Sequence, residues 1–288
     1  MKIISRKMPD KYTVVQTQDW HLGAASVHRE GIKDCIGRIE EPGVYASLPG
    51  DLIEAIRPDD KRFAFTSCDI ELQTAQDQCR EAARFLTPVA AKVIAIGAGN
   101  HEWKLINQLN VARDICERIK REDAYGGWSY KLESYTTGGD LMHKMFFTHG
   151  NCALNSQAKD PVQALANMKA KLKNVLIKTG WSDCIYMGQG HTHRLMVTLP
   201  TIDENPTLIT KDGKIHNVRR THTDQTADYI PVEARFYGNG GAFMKAYADP
   251  DTDIITYAEV MGLGALDFGW LEIDVEDRQV VNVRKVVV

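Results

Sequence analysis

No two cysteines form a C-x-x-C pair among the six in this 288-residue chain, Cys35, Cys68, Cys79, Cys116, Cys152 and Cys184. That spacing disfavours a zinc ribbon or a dithiol redox site and leaves packed thiols as the expectation. No apolar run approaches the length of a membrane span. Residues Met1 to Tyr12 carry Lys2, Arg6, Lys7, Asp10 and Lys11 without an apolar stretch, so no secretory signal is expected and a cytoplasmic location is the default. Charge of one sign is also lacking. The formal net charge of -3 excludes a global basic footprint for nucleic acid, although a local patch remains open. There is no internal repeat and no low-complexity tract. With 43% hydrophobic and 25% charged residues, what remains is an ordinary globular protein with length enough for a substantial core.

Apolar runs alternate with helical patterns through the first two thirds, as in an α/β sheet protein. Strands are predicted at Tyr12 to Thr17, Val44 to Leu48, Lys92 to Ile96, Tyr130 to Tyr135, Leu141 to Thr148 and Cys184 to Met187. Helices are predicted over Val27 to Ile39, Leu72 to Leu86, Trp103 to Arg121 and Val162 to Ile177. Arg62 to Cys68 is strand-like, and Asp69 reads as an N-cap for the helix after it. From Leu195 onward the texture turns to strands and turns, with a hairpin signal at Asp212-Gly213 and a Gly-rich loop at Gly238 to Gly241. One domain, residues 1–288, is expected, with residues 195–288 supplying mainly strands of a second sheet.

Five polar clusters follow these strands: Asp19-Trp20-His21, Gly50-Asp51, Gly99-Asn100-His101-Glu102, His149-Gly150 and Gly190-His191-Thr192-His193. Carboxylate and imidazole without thiolate suit Mn, Fe, Zn and related divalent ions. A pair of cations about 3.5 to 4 Å apart needs a bridging carboxylate to screen their repulsion and neutral donors around it, and these clusters contain both. In the D-x-H and H-x-H pairs a spacing of two places both side chains on one side of an extended segment. Asp51 is preferred over Asp69 as the bridge, because Gly50 precedes it and Leu52 and Ile53 follow. Of nine histidines, His28, His143, His216 and His222 keep a plain structural reading, as do Cys152 and Cys184 near the clusters.

The ordered set D-x-H, G-D, G-N-H-E, H-G and G-H-T-H, spanning Asp19 to His193, resembles the calcineurin-like metallophosphoesterase superfamily. The resemblance implies a four-layer α/β/β/α fold, a two-sheet sandwich flanked by helices, with two divalent metal ions at the strand ends; Mn comes first, with Fe, Zn, Ni or Co as alternatives. It further implies that one metal takes Asp19, His21 and His193, that the other takes Asn100, His149 and His191, and that Asp51 bridges. His101 would donate a proton to the leaving group, and Glu102 would orient His101 or a ligand. The implied reaction is hydrolysis of a phosphate ester by water activated at the metals. A phosphodiester, in a nucleic acid or nucleotide, is placed slightly ahead of a monoester. Gly50-Asp51-Leu52-Ile53-Glu54-Ala55 lacks the Arg-Gly extension of the protein phosphatases in that superfamily, which argues against a dedicated protein phosphatase and leaves small phosphomonoesters open. A rival is a catalytically idle binding protein on the same fold. The tail around Gly238 to Gly264 is similar, more loosely, to phage-type members. Gly238 to Gly241 reads either as backbone donors to a phosphate or as a plain turn, and Lys214, Arg219 and Arg220 read as a solvated hairpin ahead of a contact to an anionic substrate.

Overall fold

The computed structural model describes residues 1–55, 67–204, 206–220, 222–260, 262 and 264–288. Along the chain run β1 (Lys2–Lys7), β2 (Tyr12–Gln16), α1 (Arg29–Glu40), β3 (Val44–Leu48), α2 (Ala75–Leu86), β4 (Val93–Gly97), α3 (Asn100–Trp103), α4 (Val111–Arg118), β5 (Tyr125–Gly127), β6 (Ser129–Tyr135) and β7 (Leu141–Thr148). There follow α5 (Pro161–Ile177), β8 (Tyr186–Gln189), β9 (Met196–Thr198), β10 (Thr207–Lys211), β11 (Lys214–Val218), β12 (Phe236–Asn239), α6 (Tyr257–Val260), β13 (Gly269–Glu276) and β14 (Gln279–Val287). Two mixed six-stranded sheets result, ordered β14-β13-β2-β3-β4-β5 and β1-β6-β7-β8-β12-β9. The segment after residue 195 gives β13 and β14 to the first sheet and β9 and β12 to the second.

Alternation along the strands explains why the sheets stack. Val14 faces Tyr130, Phe147 and Tyr186 in the core between the sheets, while its neighbour Val15 joins Ile32, Ile39, Cys79 and Ile115 beneath the helices on the first sheet's outer face. Phe146 and Tyr237 turn the other way, onto Leu172 and Leu176 of α5. The layers are therefore α1, α2 and α4, then the two sheets, then α5. Among the described residues no helix is long and apolar enough to cross a membrane.

Several elements differ from the sequence reading. Strand β1 was not expected: in Lys2-Ile3-Ile4-Ser5-Arg6-Lys7 only Ile4 turns into the core, so this edge strand shows almost no apolar signal. The helix predicted over Trp103 to Arg121 is broken, because the Asn110 side chain accepts the Arg113 N–H at 3.2 Å and caps a new helix there. Asp69 is not an N-cap. The N-cap of α2 is Thr74, whose side chain and that of Asp77 form a capping box, while Asp69 pairs with Arg29 at 2.6 Å and accepts from Glu71 N. The run Arg62 to Cys68 lies, as far as residue 66, outside the described residues. Gly238 and Asn239, read as loop, end strand β12. The Asp212-Gly213 hairpin is present with both φ positive, 53° and 71°, and β10 and β11 form a two-stranded sheet of their own.

His143 is buried between the sheets, with Nδ1 2.9 Å from the Arg278 carbonyl and Nε2 2.7 Å from the Tyr12 hydroxyl. Burial pushes its pKa down to about 4 against the backbone hydrogen bond that favours the charged form. The unfolded chain then binds more protons than the folded one between about pH 6.5 and 4, so this contribution to stability is present above pH 6.5 and is lost as pH falls through that window. The full contribution is about 3 kcal/mol. Chemical denaturation of His143→Gln at pH 7 and pH 5 is expected to show a smaller acid-induced loss than the parent; equal losses would contradict it.

Candidate metal centre

Each cluster emerges from the C-terminal end of a strand. Asp19 and His21 follow β2, Asp51 follows β3, Asn100 follows β4, His149 follows β7 and His191 and His193 follow β8. Strands β2, β3 and β4 are mutually parallel, as are β7 and β8, and the loops from the two sheets meet at one end of the sandwich. Backbone bonds from Asp19 N to Gly50 O (3.1 Å) and from His21 N to Asp51 O (3.2 Å) stitch the first two loops together. The His191 N–H donates to Asp19 Oδ2 at 3.0 Å and ties one sheet's loops to the other's.

The D-x-H and H-x-H segments are not extended, contrary to the sequence reading. Asp19, His21, Asp51, His191 and His193 all have φ between 50° and 72°. Non-glycine residues seldom take that conformation, and their concentration here fits strain held at a functional site. Convergence of the side chains thus comes from tight turning of the loops, not from the pleat. Glycine is required where the loops touch: a Cβ on Gly99 would lie 2.0 Å from Asp51 Oδ1, and one on Gly50, which sits at φ 117°, would lie 2.4 Å from Gly99 N.

The seven side chains singled out in the sequence come together as follows. Asp19, His21 and His193 place one ligand atom each within 4.8 Å of one another, and so do Asp51, His149 and His191. Asn100 joins the second group, its Oδ1 lying 2.9 Å from His149 Nε2 and 2.8 Å from His191 Nδ1. His21, Asp51 and His101 form a third set within the same limit, so Asp51 belongs to the second group and also reaches His21 of the first. Asp51 Oδ2 is 3.2 Å from His149 Nε2, and its Oδ1 accepts the His101 backbone N–H at 2.9 Å.

Donor chemistry here suits cations. Asp19 Oδ1 is buried without a hydrogen-bond partner, 4.0 Å from His21 Nε2 and 3.8 Å from His193 Nε2, and those two imidazole nitrogens face each other at 3.1 Å. A buried unpaired carboxylate oxygen beside two converging lone pairs is costly unless a cation lies among them. The proton affinities carry the same strain. Burial pushes the Asp19 carboxyl up to about 7, while Asp51, although burial opposes it, is held well below the usual carboxylate range by the imidazoles of His149, His101 and His21. Burial, reinforced by the neighbouring His149, pushes His191 down to about 4.

Two site residues hold the others in place. Glu102 is buried and accepts four backbone N–H bonds, from Asp51 (2.9 Å), Leu52 (2.6 Å), Ile53 (3.3 Å) and Gly99 (2.6 Å), so it shapes the loops carrying Asp51 and Asn100. The His101 ring is held by Glu54, which sequence reading missed: its carbonyl lies 2.5 Å and its carboxylate 3.7 Å from His101 Nδ1. The same Glu54 carboxylate is 2.6 Å from His21 Nδ1, a carboxylate-imidazole arrangement that leaves Nε2 facing His193. Its signal was in view as the acidic residue three places after Asp51, but no spacing argument told it from a surface glutamate.

Across nearly its whole length, the chain is similar to solved metallophosphoesterase structures. A metallophosphoesterase from Sphaerobacter thermophilus aligns over 95% of this chain and 88% of its own, at 14% identity and a TM-score of 0.39. The calcineurin-like phosphoesterase YfkN from Bacillus subtilis aligns over 96% and 90%, at 12% identity and a TM-score of 0.38. The NAD nucleotidase of Haemophilus influenzae has the same identity and TM-score, and the chain spans 50% of its length. No family model and no curated protein matches the sequence.

The Gly-rich segment has a structural task. Buried Asn239 donates from Nδ2 to Thr192 Oγ1 (2.8 Å) and to the Arg194 carbonyl (2.6 Å), buttressing the loop that carries His191 and His193. Cys184 is buried and Cys152 half-buried, both free thiols.

Proposed function

We propose that the chain is a binuclear metal-dependent phosphoesterase of the calcineurin-like kind. The observation that supports this reading is the place of Asp51, whose carboxylate lies within 4.8 Å of ligand atoms of His149 and His191 on one side and of His21 and His101 on the other. Asp19, His21 and His193 would hold one divalent ion, Asn100, His149 and His191 the other, with Asp51 between them. Manganese comes first, with iron, zinc, nickel or cobalt as alternatives. When bound, the two ions supply a water nucleophile at neutral pH and neutralise phosphoryl oxygens.

The protein's own groups do the rest. Proton delivery to the leaving oxygen falls to His101, whose Nδ1–H donates to the Glu54 carbonyl; burial lowers the pKa of the ring, and the carboxylates of Asp51 and Glu54 oppose that shift. A phosphodiester, in a nucleotide or nucleic acid, is the preferred substrate. Metal-loaded protein is expected to hydrolyse bis-p-nitrophenyl phosphate faster than p-nitrophenyl phosphate; a reversed order assigns it to monoesters, and no turnover on either ester defeats the reading. His101→Ala is expected to lower turnover by about a hundred-fold to ten-thousand-fold while elemental analysis still finds two metal equivalents. Loss of metal instead would make His101 a ligand.

A further inference from the structure

Beside the metal centre lies a cavity of about 530 Å³, within the range of small-molecule sites. Its walls begin where the ligands end: Gly150 follows His149, and Gln189 precedes Gly190 and His191. Trp128 lines it, half-buried, with its ring edge-on to His149 at 5.9 Å and to Trp103 at 5.8 Å. One wall is thus an aromatic side chain whose position is fixed relative to His149.

At the inner end Gln189 is fully buried, and its Oε1 has no hydrogen-bond partner. The orientation of that amide is set by chemistry. Asn239 Nδ2 faces three acceptors, Thr192 Oγ1, Arg194 O and Gly240 O, so Asn239 Oδ1 is the atom turned to Gln189 and takes its Nε2–H at 3.1 Å. Gln189 Oε1 is therefore left as an acceptor against Gly150, where a Cβ would lie 3.1 Å from it and crowd it. A buried acceptor with no donor is rare and asks for a ligand N–H or O–H.

Resting on the phosphoesterase reading, we propose that this cavity receives the nucleobase attached to the scissile phosphate. A planar heterocycle with ring or exocyclic N–H groups meets both features at once, π surface at Trp128 and a donor for Gln189 Oε1. An alkyl chain or a simple phenyl group would leave the oxygen unpaired. The base can belong to a free nucleotide or to a nucleic-acid strand.

Equilibrium binding to manganese-loaded protein, followed by calorimetry, tests this with adenosine monophosphate, inorganic phosphate and a short oligodeoxynucleotide. The monophosphate is expected to bind roughly tenfold more tightly than phosphate. In Trp128→Ala that ratio falls toward one, and Trp128→Phe, which keeps a ring, restores much of it. The oligonucleotide binding more tightly than the monophosphate points to a strand, and the reverse to a free nucleotide. Equal affinities for monophosphate and phosphate in the parent protein, or an unchanged ratio in Trp128→Ala, would overturn the inference while turnover of the aryl esters left the phosphoesterase reading standing; no phosphate binding and no turnover would remove both. Should Trp128→Ala not fold, the parent crystallised with manganese and adenosine monophosphate decides: the base lies against Trp128 with an N–H on Gln189, or the inference fails.

Discussion

Asp51→Asn protein is expected to retain at most one equivalent of divalent metal and to lose turnover by about a thousand-fold or more. The reasoning is electrostatic. Two unit charges 4 Å apart interact by about 4 kcal/mol at an effective dielectric of 20, and at about 1.4 kcal/mol per tenfold in rate the loss of one such attraction already amounts to about a thousand-fold. Asparagine keeps the shape and one oxygen donor, so the loop should survive: Asp51 N still reaches Glu102, and the His101 N–H still has an oxygen to donate to. Elemental analysis beside steady-state turnover checks both halves. An Asp51→Asn protein with two metals and near-parental rate would show that the carboxylate does not bridge, and the binuclear reading would go with it.

Glu102→Ala is expected to cost about 4 kcal/mol or more of folding stability, which is large for a single substitution. Four backbone N–H groups, on Asp51, Leu52, Ile53 and Gly99, end on this one buried carboxylate. Each donor left buried and unpaired costs about 1 to 3 kcal/mol, and removal of the side chain strands all four. Glu102→Gln keeps one acceptor oxygen but turns an amino group toward the remaining donors, so an intermediate loss is expected. Urea denaturation of the two variants provides the check. If Glu102→Ala unfolded within about 1 kcal/mol of the parent, the N–H groups would have found water, and the buttress assigned to Glu102 would be wrong.

Much of the sandwich was legible because a strand buried on alternating faces leaves a mark that one sequence can show. Strands β2, β3, β4, β6 and β7 and helices α1 and α5 stand close to where apolar periodicity put them. Where burial is slight the mark fades. Strand β1 turns one side chain inward, and β12 ends in Gly238-Asn239, whose turn-like composition masks a strand wedged beside Tyr186. The break between α3 and α4 rests on one capping asparagine, a local competition that periodicity does not register.

What the sequence by itself determined is the chemical inventory and its order: Asp, His and Asn after successive apolar runs, with glycines at the points where backbones must touch. Those choices are local, since a ligand type, a strand pattern and a glycine-dependent approach each leave their trace within a few residues. Tertiary structure alone decided which groups share a hydrogen bond. That the Glu54 carboxylate meets His21 and its carbonyl meets His101, that Glu102 collects N–H groups from two loops, and that Gln189, with its unpaired oxygen, lines the same cavity as Trp128 all depend on contacts between segments 33 or more residues apart or on loops turned through positive φ. Such pairings are settled by how two sheets stack and by which donors burial leaves without water, quantities that belong to the packed chain as a whole.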